Sequence, residues 1–181
     1  MRSTICFLVL VLLTDSLLAQ EYKPVDSLSS VTFGIKNFGI NTPGSFSGLK
    51  GKIIFPDAKP ETASFTVSVD AATVSTGIDM RDNHLRKDEY FDVINYPVIS
   101  FISTKIMADA AEMGTYTIFG HLTIKGVTKE ISFPFKVEKQ TNGITFSGSF
   151  KINRRDFNVG SSSAILGSSV DINLKVFAVK K

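Results

Sequence analysis

The chain has 181 residues, 43% of them hydrophobic, which suits one domain with a substantial core. Its 20 basic and 17 acidic residues leave a net charge of +3, too small and too evenly scattered for a nucleic-acid footprint. The single cysteine, Cys6, lies in the first apolar run, so a chain processed beyond it has no disulfide, cysteine nucleophile or thiolate metal site.

Arg2 and the amino terminus precede the apolar run "ICFLVLVLL", Ile5 to Leu13, and "SLLAQ" then offers Ala19 as a small residue for cleavage. Thr14, Asp15 and Ser16 stop the run well short of the roughly 18 apolar residues that a membrane span needs. The pattern predicts a cleaved signal peptide over 1–19, a single domain over 20–181, no integral span in the mature chain, and a periplasmic or secreted location.

Beyond Gln20 the apolar period is two, the mark of half-buried strands. Val31, Phe33 and Ile35 open the series, and a second strand is expected from Phe46 to Phe55 after a turn at "NTPGS". Phe65, Val67 and Val69 follow, and the one plausible helix lies between about Asp79 and Tyr90. Then come Ile99, Phe101 and Ser103; Tyr116, Ile118, Gly120, Leu122 and Ile124; Ile131, Phe133, Phe135 and Val137. Ile144, Phe146, Gly148, Phe150 and Ile152 precede the last strand, with Val170, Ile172, Leu174 and Val176. Asn142-Gly143 and the short "IKGVTKE" link predict tight hairpins. No connection has room for a series of crossover helices, which leaves an antiparallel sheet.

Eight such strands close into a barrel or split into a sandwich. Gly120 and Gly148 on the inward face favour the barrel, because a strand bends where a side chain is missing, and closure removes sticky edges. An eight-stranded barrel has an interior that is either filled by side chains or holds one small ligand. The 15 phenylalanines fit both.

The stretch from Thr76 to Pro97, "TGIDMRDNHLRKDEYFDVINYP", concentrates charge. His84 between Asp82 and Asp88 would make a base with an orienting carboxylate. Set against this, Asp79 or Asp82 caps a short helix while Leu85 packs inward, or the segment forms a polar rim for a ligand headgroup. His121 is expected to point outward, so no two-histidine metal site is predicted. Lys151, Arg154 and Arg155 follow the seventh strand, where arginines could grip a phosphate or anchor a solvated loop. "GSSSAILGSS" has no strand running into a helix and is no phosphate loop.

The segments "DAATVSTGIDMRDNHLRKDEYFDVINYPVISFISTKI", "YTIFGHLTIKGVTKEISFPFKV" and "KINRRDFNVG" together resemble the YceI-like family of secreted lipocalin-like proteins, over about Asp26 to Lys180. The resemblance implies an all-β fold, a single eight-stranded antiparallel lipocalin-like barrel with one short helix. It also implies binding of a long isoprenoid or related fatty lipid in an apolar channel, without catalysis or a cofactor. Many members carry a histidine where this chain has Asn37. The expected ligand contacts are Phe33, Ile35, Phe65, Val67, Phe101, Tyr116, Ile118, Phe133, Phe146 and Phe150, with Arg81, His84, Arg154 and Arg155 at the headgroup or rim. At roughly 0.8 kcal/mol per buried methylene, a forty-carbon chain has about 30 kcal/mol to gain, so partial burial already meets the ceiling of about 18–21 kcal/mol on non-covalent affinity. Two alternatives compete: a hydrolase or isomerase on the same barrel using His84, and a stress-related structural or interaction protein with a filled core. Amino-terminal sequencing of exported protein is expected to begin close to Gln20; a membrane-bound species that keeps Arg2 to Ala19 would contradict the signal reading.

Overall fold

In the computed structural model, which describes residues 20–181, nine antiparallel strands form one sheet that closes on itself. The predicted signal over 1–19 lies outside the described residues. In chain order the strands are β1 (Glu21–Pro24), β2 (Ser30–Asn37), β3 (Ile40–Ile54), β4 (Ser64–Ser75), β5 (Val98–Ala108), β6 (Thr115–Ile124), β7 (Val127–Gln140), β8 (Gly143–Asn153) and β9 (Leu166–Lys180). From β2 to β9 each strand pairs with the next, and β9 returns to β2 through Phe33 opposite Ile172 and Val31 opposite Leu174. This is the up-and-down eight-stranded barrel expected from the apolar alternation. One short helix, α1 (Asp79–Leu85), sits beyond the end of β4.

The ninth strand was not expected. β1 lies between β3 and β9, pairing Tyr22 with Ile53 and with Lys180, in the place that β2 takes further along the wall. A 3-10 turn at Asp26–Leu28 separates the two pieces. Across this break side chains take over from the ladder: Asp26 accepts the Leu49 N–H at 2.7 Å, and the Ser29 hydroxyl accepts the Phe177 N–H at 3.0 Å. Backbone groups that would be buried without partners are thereby satisfied.

The β2–β3 turn falls at Phe38–Gly39 rather than at "NTPGS". Both turn residues have positive φ, 51° and 77°, as a two-residue type I′ hairpin requires. Phenylalanine at the first position gives no sequence signal for it. Pro43 is tolerated within β3 because the ladder to β4 begins only at Ser45, so its missing N–H breaks no bond on that side. The "QTNG" hairpin turns on Thr141 and Asn142, one residue before the expected pair, since Gln140 faces Gly143. The helix ends at Leu85, short of Tyr90, and the chain continues as turns that bring the Phe91 N–H back to the Leu85 carbonyl.

The barrel has a closed end and an open end. At the closed end Phe55, Phe65, Phe135 and Phe146 interlock, with Phe65–Phe146 centroids 5.1 Å apart and Phe55–Phe146 centroids 5.4 Å apart, both edge to face. This geometry is favoured by the ring quadrupoles. Ile53, Ile106, Ile118 and Ile144 complete the cluster. A bulge in β5 between Ser103 and Lys105 shifts the alternation, which is how Ile106 turns inward on the strand that carries Phe101. Phe146→Ala is expected to destabilise the protein by about 3–5 kcal/mol, measured by urea unfolding, because it leaves a cavity between the rings of Phe55, Phe65 and Phe135.

Candidate functional site

Above this aromatic floor the barrel is hollow. A cavity of about 560 Å³ runs to the open end, within the range of small-molecule sites. Its walls come from alternate residues of nearly every strand: Val31, Phe33 and Ile35 of β2, Phe46 and Leu49 of β3, Val67 and Val69 of β4, Ile99 and Phe101 of β5, Leu122 and Ile124 of β6. Phe133, Phe150, Ile152, Val170, Ile172, Leu174 and Val176 complete them. Phe133 stacks on Phe150 with centroids 4.4 Å apart and leans against Phe101 at 5.8 Å, so these three rings form the boundary between floor and cavity.

Two glycines make room for that boundary. A Cβ at Gly120 would stand 2.5 Å from the Phe101 ring and from the Ile102 carbonyl oxygen, and one at Gly148 would stand 3.3 Å from the Phe133 ring. The rings therefore lie flat on the wall instead of filling the centre. The inward glycines thus make room for aromatic rings against the wall.

The expected contacts divide between the two regions. Phe33, Ile35, Val67, Phe101, Phe133 and Phe150 line the cavity. Phe65, Ile118 and Phe146 are buried in the closed-end cluster, with Tyr116 packed against it, and none of these four borders the cavity. Tyr90, Phe91 and Phe157 border it from outside the strands. Phe157 is buried where the chain makes a 3-10 turn after β8, and Phe91 packs edge-on against Phe46 at 5.3 Å. Loop residues carry no period, so nothing in the apolar alternation marks these three as cavity residues.

The charged stretch after β4 works mainly on its own backbone. Asp82, only 4% exposed, accepts the Thr76 N–H at 2.8 Å and the Thr76 hydroxyl, while Arg81 donates to the Thr76 hydroxyl at 2.7 Å and to its carbonyl at 2.9 Å. Arg86 donates to the Ala72 and Val74 carbonyls, clamping the helix onto β4. Asp82 is thus a bracket at Thr76 rather than a partner of His84. The His84 ring instead meets Glu89 at 3.4 Å and lies edge-on to Tyr90 at 5.0 Å, exposed at the cavity mouth. His121 is exposed on the outer wall. Among the described residues, no group of three or more His, Cys, Asp or Glu is placed to hold a metal ion.

Arg154 and Arg155, adjacent in sequence, have opposite fates. Arg155 is exposed and stays outside the cavity. Arg154 borders the cavity, is 5% exposed, and donates to four carbonyls: Val159, Ser161, Leu166 and Gly167. Burial lowers its pKa from the ordinary value, yet a guanidinium remains charged. With no carboxylate among these partners, its cost of burial is offset by carbonyl dipoles. The result is a fixed loop from Val159 to Leu166 along one side of the mouth. Lys125 ties the other side to it, donating to the Glu89 and Asn158 carbonyls at 3.3 and 2.9 Å.

An up-and-down antiparallel barrel with a solid floor and an apolar cavity open at one end is a ligand-cavity barrel of the lipocalin-like type. The chain belongs to the YceI-like domain family, whose model matches residues 22–178. It is 30% identical over 177 residues to the UPF0312 protein YE1254 of Yersinia enterocolitica, covering 91% of this chain and 89% of that protein. Among solved structures, Burkholderia cenocepacia BcnA matches with a TM-score of 0.81 at 27% identity, over 86% of this chain and 99% of that one. A polyisoprenoid binding domain from Saccharophagus degradans shares the fold at 18% identity, with a TM-score of 0.70 over 88% and 98% of the two chains.

The Thr76 hydroxyl bond holds the Asp82 carboxyl below its ordinary pKa of 3.8, against the opposing effect of burial. A lowered pKa in the folded state means that the carboxylate contributes stability above the unfolded pKa and loses it as pH falls through the folded one. Asp82→Asn is accordingly expected to be less stable than the parent at neutral pH. In urea titrations the gap should narrow as pH drops below 3.8 and close beneath the lowered value.

Proposed function

We propose that this protein binds a long apolar lipid, isoprenoid or related, inside the barrel and carries or stores it unchanged, acting as a periplasmic or secreted protein. The observation that carries this reading is the cavity itself: about 560 Å³ walled mainly by aliphatic and aromatic side chains above a packed floor. Such a wall offers a hydrocarbon chain burial at roughly 25 cal/mol per Å² and presents few groups able to do chemistry on it. The polar groups gather at the mouth, where Arg81, His84 and Glu89 border the cavity and a lipid's polar end would lie. A relative in fold is a polyisoprenoid binding domain, which agrees with an isoprenoid as the class of ligand. The hollow argues against a solid-core structural role. Asp82 is committed to Thr76, so it does not orient His84, whose only carboxylate neighbour within ion-pair distance among the described residues is Glu89 at 3.4 Å, both side chains standing in solvent.

Lipid extraction and native mass spectrometry of freshly purified protein test the proposal. A bound long-chain lipid is expected in the parent and in His84→Ala, since no catalytic base is involved. If His84→Ala instead abolished a measurable turnover of a lipid ester or isomer, the enzyme reading would replace this one. Phe101→Trp gives the sharper test. Its ring already borders open space, so the added bulk is expected to cost less than about 1.5 kcal/mol in stability while displacing most of the retained lipid. A strongly destabilised Phe101→Trp that kept its full lipid load would refute the channel.

A further inference from the structure

The open end of the barrel carries a group of exposed apolar side chains. Phe38 and Ile40 at the β2–β3 turn are 70% and 71% exposed, and Ile165, on the loop beside them, is 49% exposed. The three belong to one structure, since the Phe38 N–H donates to the Ile165 carbonyl at 2.9 Å. Ile165 also lines the cavity mouth. Across the same end, on the segment following β4, Met80 is 84% exposed and Ile94 91%.

Phe38 is the most informative of these. Its φ of 51° places a bulky residue in the left-handed region, where asparagine or glycine is at ease and a large side chain is an outlier. The protein tolerates that strain to hold a phenyl ring largely in solvent, outside both core clusters. Strain of this kind, kept by a side chain with no structural return, points to a role outside the chain.

Cations flank the same edge. A hollow of about 200 Å³ next to the mouth is lined by Lys36, Arg154 and Arg155 together with Ser163 and Ile165, and none of its lining residues is acidic. Lys36 and Arg155 are exposed and have no ion-pair partner among the described residues. Protruding apolar side chains beside unpaired cations match the two layers of an anionic bilayer surface, acyl chains below and phosphates above.

We propose that the open end docks reversibly on an anionic phospholipid bilayer, with Phe38, Ile40 and Ile165 entering the interface and Lys36 and Arg155 meeting lipid phosphates. The cavity mouth then faces the membrane, and cargo passes between barrel and bilayer without crossing water. This inference rests on the reading of the cavity as a lipid site.

Vesicle flotation tests it, comparing phosphatidylcholine alone with phosphatidylcholine containing phosphatidylglycerol. The protein should float with the anionic vesicles and be released by salt. Lys36→Glu with Arg155→Glu is expected to weaken binding by about tenfold or more. Phe38→Asn discriminates most clearly. Asparagine relieves the type I′ turn, so this variant should melt about 2–4 °C higher while its vesicle binding falls. A purely structural Phe38 would shift the melt alone and overturn the proposal. So would the absence of flotation by the parent protein, or a self-associated species that Phe38→Asn dissociates, which would assign the patch to a second copy of the chain. Lipid retention in the same samples separates the two readings: retained cargo without vesicle binding defeats docking alone, and vesicle binding without cargo defeats the cavity reading while supporting docking.

Discussion

Pairing of β9 with β2 closes the sheet, and the diameter that eight strands then enforce governs everything inside. A ring of this size can be filled by its own side chains or kept partly open, and this chain does both at different heights. At the closed end large residues from opposite walls meet across the axis, as Phe65 does with Phe146 and Phe55 with Tyr116. Toward the open end most inward residues are Val, Leu and Ile, too short to meet across the axis, and the rings found there, Phe33, Phe46 and Phe91, pack on one another and leave the centre open. A gradient of side-chain size along the axis therefore produces a cup from a tube.

The rim is built on a different principle. Its stability comes from cationic side chains bonded to carbonyl oxygens: Arg86 on β4, Arg154 on the loop before β9, and Lys125 on Glu89 and Asn158. These bonds fix irregular backbone that has no sheet partner. They also consume the charges most easily mistaken for a ligand site. What remains exposed at the mouth is a histidine, a glutamate, three serines and an isoleucine, a surface able to border many different polar ends.

Much of the barrel was legible in the sequence because period-two alternation reports directly which face of a strand is inward. Height along the axis leaves no such trace. Phe101 and Phe146 follow the same alternation, yet one borders the cavity and the other lies in the floor, because register and shear decide how far up each residue stands. The short β1 was invisible for a related reason: four residues, one of them Pro24, carry too little pattern. Arg154 shows the limit most plainly. Its partners are four main-chain oxygens on a serine-rich loop, and nothing in the side-chain sequence marks a carbonyl as a counter-charge.

Closure between the second strand and the last also sets the order of events in folding. The Ser29 side chain bonds Phe177 across 148 positions, so the wall has no complete circumference until nearly the whole chain is available. Until then β2 and β8 are both free edges, open to pairing with other molecules, and the non-local contact that seals them is slow to form. A chain shortened by its final strand would lose more than one-eighth of its wall: it would be left with two sticky borders and a cup that holds nothing.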